Sequence, residues 1–231
     1  MALNITSFAS RDALMRGTAE RMADSVRAAI AARGEACIAL SGGSTPEPAY
    51  RLLAATPLDW PRVTIALVDE RFVPPAHPAS NQGMIERALA PAFAAGAKLA
   101  PLFCIAETVE AAAARAEALY APLRFDLAVM GMGADGHTAS WFPGAEGLGA
   151  ALDLGGGRSV VAVQATQAGG AAERLTLTRP ALFRASALLL LITGADKKAV
   201  LEGAAGQPLP ETPVRALIEP PAPPVEVLWA A

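Results

Sequence analysis

The sequence predicts a layered α/β fold on two observations. Six short runs are continuously apolar rather than alternating, and helical stretches lie between several of them. A strand without polar alternation is one covered on both faces, the condition of strands in a parallel sheet. Alternation of such strands with helices is the pattern of α/β layers.

Taken in order, residues 10–33 read as an amphipathic helix, with Leu14, Met22, Val26 and Ile30 among its apolar positions and Gly34 just past its end. The strand runs are "ACIAL" (36–40), "VTIALVDE" (63–70), "FDLAVMGMG" (125–133), "SVVAVQA" (159–165), "ALLLLITG" (187–194) and "VEVLWA" (225–230). Helices are expected over 46–54, 82–90, 108–121 and 195–203. Neither the glycine-rich 147–159 nor the stiff "PPAPP" (220–224) divides the chain, and there is no polar linker or internal repeat. One domain over residues 1–231 is therefore expected.

Composition excludes several classes. Hydrophobic residues make up 53% of the 231, a figure inflated by alanine. The most apolar run, Ala187 to Ile192, is far shorter than the roughly 20 residues of a spanning helix, so no membrane association is expected. The N-terminus lacks a basic region followed by an apolar core, so no signal peptide is expected. Cys37 and Cys104 sit in no CxxC or Cys/His cluster, which argues against a disulfide framework or a zinc site and fits a reducing cytoplasm. With a net charge of -3, no basic run and no aromatic stripe, nucleic acid is not an expected partner. No helical seam is evident, and a monomer is expected.

The chemistry sits at the ends of the strand runs, where ligands of open α/β sheets bind. After the first run comes "SGGSTPE" (41–47). Gly42 and Gly43 permit positive φ and close approach of a ligand. Ser44 or Thr45 can cap a following helix, Pro46 suits its first turn, and Glu47 completes a capping box with Ser44. The bland reading is an ordinary helix start; the functional one is a phosphate on free N–H groups. No GKS or GKT follows, so this is not a Walker loop.

"GMGADG" (131–136) formally matches a dinucleotide fingerprint. Asp135 would place a charge near the pyrophosphate, Pro143 and Gly144 interrupt any following helix, and no βαβ unit surrounds it, so that reading is rejected. What remains is His137, one of two histidines, among glycines at a strand end. Imidazole can take a proton from water near neutral pH, and Asp135 stands two residues away to orient it. The bland alternative is a loop histidine that only hydrogen-bonds.

Three charges, Asp69, Glu70 and Arg71, stand at the end of the second run, which is costly unless they face a cleft or one another. Arg174 precedes an alternating segment, and Lys197 opposes the dipole in the first turn of a helix unless an anion is nearby. Together these residues suggest a phosphorylated small molecule and a proton transfer.

Six motifs then carry a resemblance along nearly the whole chain: "LSGGSTP" (40–46), "VDERFVP" (68–74), "SNQGM" (80–84), "GMGADGHTASWFPG" (131–144), "RLTLT" (174–178) and "TGADKKAVL" (193–201). The sequence resembles the glucosamine-6-phosphate isomerase/6-phosphogluconolactonase family. The resemblance implies a single-domain, three-layer α/β/α modified Rossmann-like fold with a mostly parallel sheet. It implies hydrolysis of the δ-lactone of 6-phosphogluconate, in the oxidative pentose phosphate pathway, with no metal or organic cofactor. His137 aligns with the histidine that activates water. The phosphate contacts map onto Gly42, Gly43, Ser44, Thr45, Arg71, Arg174 and Lys197, the last chosen over Lys198 because it stands three residues after Gly194. Asp69 matches the carboxylate that moves protons in the deaminase branch and is a catalytic candidate here; the alternative is that it only orients Arg71 or substrate hydroxyls. "DERFVP" and "GHTASWFPG" follow the lactonase pattern, and the deaminases' further glutamate is missing. Trp141, where leucine is common, departs from the pattern at the packing or rim of its loop. The alternatives are a deaminase on the same fold and a sugar-phosphate sensor. The sensor normally brings a DNA-binding segment, for which a fold starting near residue 10 leaves no room.

Overall fold

Continuous apolar strands need cover on both faces, and the computed structural model, which describes residues 3–166 and 171–231, provides it. Of the domain expected over 1–231, residues 1–2 and 167–170 lie outside the described residues. The strands are β1 (Ile5–Phe8), β2 (Ala36–Leu40), β3 (Val63–Leu67), β4 (Asp69–Arg71), β5 (Lys98–Ala100), β6 (Leu127–Gly131), β7 (Val160–Gln164), β8 (Glu173–Leu177), β9 (Leu188–Thr193) and β10 (Val225–Ala230). The helices are α1 (Arg11–Arg33), α2 (Glu47–Ala54), α3 (Asn81–Ala88), α4 (Ala90–Ala94), α5 (Val109–Tyr120), α6 (Leu148–Leu152), α7 (Arg179–Leu182), α8 (Ala195–Gly203) and α9 (Arg215–Ile218).

A seven-stranded parallel sheet runs β1-β10-β9-β6-β2-β3-β5, with helices flanking it. Its middle strands β9, β6 and β2 are buried almost throughout, as their unbroken apolar runs require. The edges β1 and β5 were not legible: one is a half-polar "ITSF", the other three residues long. Helix α1 matches its expected span, started by the Ser10 hydroxyl accepting from the Ala13 amide and ended by Gly34 at φ 82°.

Two expectations are corrected. "VTIALVDE" is not one strand, because Asp69–Arg71 leaves the main sheet for a three-stranded antiparallel one, β4-β8-β7. Val68 is the joint: its N–H donates to Leu40 O in the first sheet, and its carbonyl accepts from Leu177 N beside the second. "SVVAVQA" also lies in this antiparallel sheet, not the parallel one. Its burial comes from α5, whose Glu117 carboxylate accepts from the Ser159 and Val160 amides.

The topology positions a site. From β2 the chain steps to β3 and β5 on one side, then returns to β6 on the other and continues to β9 and β10. The segments after β2 and β6 diverge at this reversal, where open α/β sheets form their ligand crevice.

Candidate active site

Four chain segments at the C-terminal ends of β2, β3, β6 and β9 close around a cavity of about 360 Å³. Gly42, Gly43, Ser44 and Thr45 form one wall. Gly43 is at φ 103°, and a Cβ on Gly42 would meet Asn81 Oδ1 at 1.8 Å, so both glycines are required. Among the described residues, no protein acceptor takes the amides of residues 42–45, a cluster of donors suited to an anion. The expected capping box is not formed. Pro46 is the N-cap of α2, without a side-chain bond, and Glu47 instead accepts from Arg51 at 2.6 Å. Ser44 is thereby left to the cavity wall. The buried Tyr50 hydroxyl donates to Ser41 O at 2.8 Å and holds the start of the turn.

The second sheet supplies the opposite wall. Its register sets Arg71 directly across from Arg174, and both line the cavity. Like charges opposed on neighbouring strands repel, and an anion between them removes the cost. Arg174 is only 3% exposed, and burial lowers its pKa from the usual arginine value, against the pull of Asp69 and with the push of Arg71. Its guanidinium stands 4.9 Å from the Phe142 ring centroid. Arg71 donates to Ala79 O at 2.6 Å.

Asp69 also lines the cavity, 6% exposed. Its Oδ2 accepts from the Ser140 hydroxyl at 2.6 Å and its Oδ1 from the Asn81 amide at 3.3 Å; the same amide donates to Asp69 O at 2.9 Å. The internal ion pair from Asp69 or Glu70 to Arg71 is absent among the described residues. Glu70 is fully buried and caps α3, accepting from the amides of Asn81 and Gln82 and the Ser80 hydroxyl, and from the Arg71 amide. Burial pushes its carboxyl pKa up, and these donors pull it back.

After β6, Asp135 Oδ1 lies 2.6 Å from His137 Nδ1 and also accepts the His137 amide at 3.2 Å. The imidazole stacks on Phe142, ring centroids 4.0 Å apart. With Nδ1 turned to the carboxylate, Nε2 is left for chemistry. A Cβ at Gly133 would stand 2.2 Å from His137 Cε1 and Nδ1, so this glycine makes room for the ring. Ala139, on the cavity wall, is held at φ 52°, a strained conformation of the kind found at functional sites. Of the two places open to Trp141, packing or rim, it takes the first: it is fully buried, and Nε1 donates to Leu177 O at 2.9 Å, pinning the loop to β8. After β9, Lys197 lines the cavity and donates to Met132 O at 2.7 Å. Lys198 lies elsewhere, 4.5 Å over the Trp229 ring.

The structure thus brings His137, Asp69, Gly42–Thr45, Arg71, Arg174 and Lys197 to one cavity, with Asp135 behind the histidine. Sequence reasoning assigned nothing to Asn81, Ser140 or Phe142. All three stand inside quoted motifs, but an amide, a hydroxyl and a ring carry no charge to single them out. No group of three or more His, Cys, Asp or Glu able to hold a metal occurs among the described residues.

Known proteins share this arrangement of chain. The family model described as glucosamine-6-phosphate isomerases/6-phosphogluconolactonase matches residues 9–229. The chain is 45% identical to a 6-phosphogluconolactonase of Rhizobium meliloti (strain 1021), covering 100% of each. It is 42% identical to one of Mesorhizobium japonicum, covering 98% of this chain and 95% of the relative. A crystal structure of a 6-phosphogluconolactonase from Shewanella baltica OS155 superposes with a TM-score of 0.94 at 34% identity, over 100% of this chain and 98% of that one. Sequence likeness along the full length and agreement of fold lead to one conclusion: the chain belongs to the glucosamine-6-phosphate isomerase/6-phosphogluconolactonase family.

Proposed function

We propose that the protein hydrolyses 6-phospho-D-glucono-1,5-lactone to 6-phospho-D-gluconate, a step of the oxidative pentose phosphate pathway. The observation that carries this reading is the meeting, in one cavity, of an Asp135-oriented histidine and an opposed arginine pair. The amides of residues 42–45, Arg71, Arg174 and Lys197 hold the 6-phosphate. Binding at that remote group fixes the ring, and positioning supplies much of the rate. His137 Nε2 takes a proton from water, whose oxygen attacks C1. Negative charge moves to the carbonyl oxygen, then returns as the C1–ring oxygen bond breaks. The imidazolium, steadied by Asp135, gives its proton to the leaving ring oxygen. One water is consumed and no redox partner is needed. Asp69, fixed by Ser140 and Asn81, accepts from a substrate hydroxyl.

The test is to form the lactone in situ from glucose 6-phosphate and its dehydrogenase and to follow its loss. Loss well above the spontaneous rate supports the proposal, and Lys197→Ala should then raise KM far more than it lowers kcat. Loss at the background rate, with ammonia released from glucosamine 6-phosphate, would assign the cavity to deamination instead.

A further inference from the structure

A second cavity, of about 570 Å³, shares Ser44 and Thr45 with the catalytic one and otherwise has different walls. Arg11 and Arg16 of α1 and Arg51 of α2 line it, and Asp12 is the one acid in its lining. In a chain of net charge -3, this is a local reversal of sign. The local partners do not account for it. Arg51 pairs with Glu47 in an exposed i,i+4 contact, the kind worth only a few tenths of a kcal/mol. Arg11 reaches Ala231 O only at 3.5 Å. Arg16 has no ion pair or hydrogen bond among the described residues. Arg11 also occupies the first turn of α1, where the helix dipole opposes a cation.

The rest of the wall is apolar. Met15, Pro48 and Leu52 contribute to it, and Leu52 is left 41% exposed. Guanidinium groups favour phosphate oxygens through paired N–H donors, and an apolar wall beside a few convergent charges is the make-up of a small-molecule site.

We propose that this cavity binds a phosphorylated organic metabolite, its phosphates on Arg11, Arg16 and Arg51 and its apolar part against Met15, Pro48 and Leu52. Because Ser44 and Thr45 wall both cavities, the bound charge lies beside the phosphate turn and weakens substrate binding there. That kinetic consequence rests on the proposed function; the binding does not.

ADP, which joins two phosphates to a flat base, is the probe. Its binding is measured by calorimetry, without lactone, to the wild type, to Arg16→Ala/Arg51→Ala and to Lys197→Ala. The expected result is saturable binding to wild type and Lys197→Ala alike, with affinity at least tenfold lower in the double variant at an unchanged unfolding midpoint. Absence of saturable binding to the wild type would overturn the proposal. So would binding kept by the double variant and lost in Lys197→Ala, which would place ADP in the catalytic cavity.

Discussion

Gly133→Ala tests the position of the His137 ring, proposed as the base, together with the Asp135 carboxylate behind it. Gly133 is not at positive φ, so alanine fits its backbone, and the added methyl acts through space alone. That methyl would stand 2.2 Å from His137 Cε1 and Nδ1 and 2.5 Å from Asp135 Oδ1. To reach ordinary contact at 3.4 Å, the imidazole must retreat by about 1.2 Å and leave its carboxylate or its stack on Phe142. A displacement of about 1 Å in a catalytic group costs roughly a hundredfold in rate, or about 2.7 kcal/mol in barrier. The lactone assay should therefore show kcat about a hundredfold lower, with KM nearly unchanged because the phosphate contacts are untouched. Gly136→Ala is the contrast. It sits at φ 78° with Thr212 Cγ2 3.0 Å from the new methyl, so it should lower stability by about 1–2 kcal/mol through backbone strain. A Gly133→Ala enzyme turning over within threefold of wild type would refute the reasoning, since the ring would then work from a displaced position.

Other perturbations test other parts. Ser140→Ala removes the 2.6 Å donor to Asp69; hydrogen bonds to charged groups are worth about 1.5–3 kcal/mol, so kcat/KM should fall at least tenfold, and an unchanged value would deny Asp69 a part in the reaction. Glu226 is held below the usual carboxylate range, first by its hydrogen bonds from Arg21. A depressed acid stabilises the fold above its unfolded pKa and ceases to as pH falls through the folded one. The thermal midpoint should thus drop on acidification below about pH 4 less steeply in Glu226→Gln than in wild type. Burial, then the charges of Asp126 and Glu35, push the Cys37 thiol up to about 12, so this thiol should resist iodoacetamide in the folded protein at neutral pH and react once unfolded. Fast alkylation of the native protein would contradict the raised thiol pKa.

How much of this was legible in the sequence depends on whether the signal was local. The turn at 42–45 is written in its own glycines and hydroxyls, and His137 with Asp135 in two positions with only Gly136 between them. The central strands show because burial on both faces leaves no polar residue in them. The opposition of Arg71 and Arg174 does not show, because it arises from the register of β4 on β8, a hundred residues apart in the chain. Glu70 reads as a candidate for the cleft, yet its destination is the N-terminus of α3, whose amides it takes. The capping box at Ser44 was a sound local pattern overridden by tertiary structure, since Ser44 serves the cavity wall and Glu47 pairs with Arg51. Trp141 stays open between packing and rim in the sequence, because its partner, the carbonyl of Leu177, lies on a distant strand.

The central claim is that His137 is the base of a lactone hydrolysis, and its most direct test is the turnover of wild type and His137→Ala on lactone formed in situ. The account predicts rapid loss with wild type and a fall of at least a hundredfold with the variant, at unchanged fold and with phosphate binding retained. Near-normal turnover by His137→Ala would contradict it.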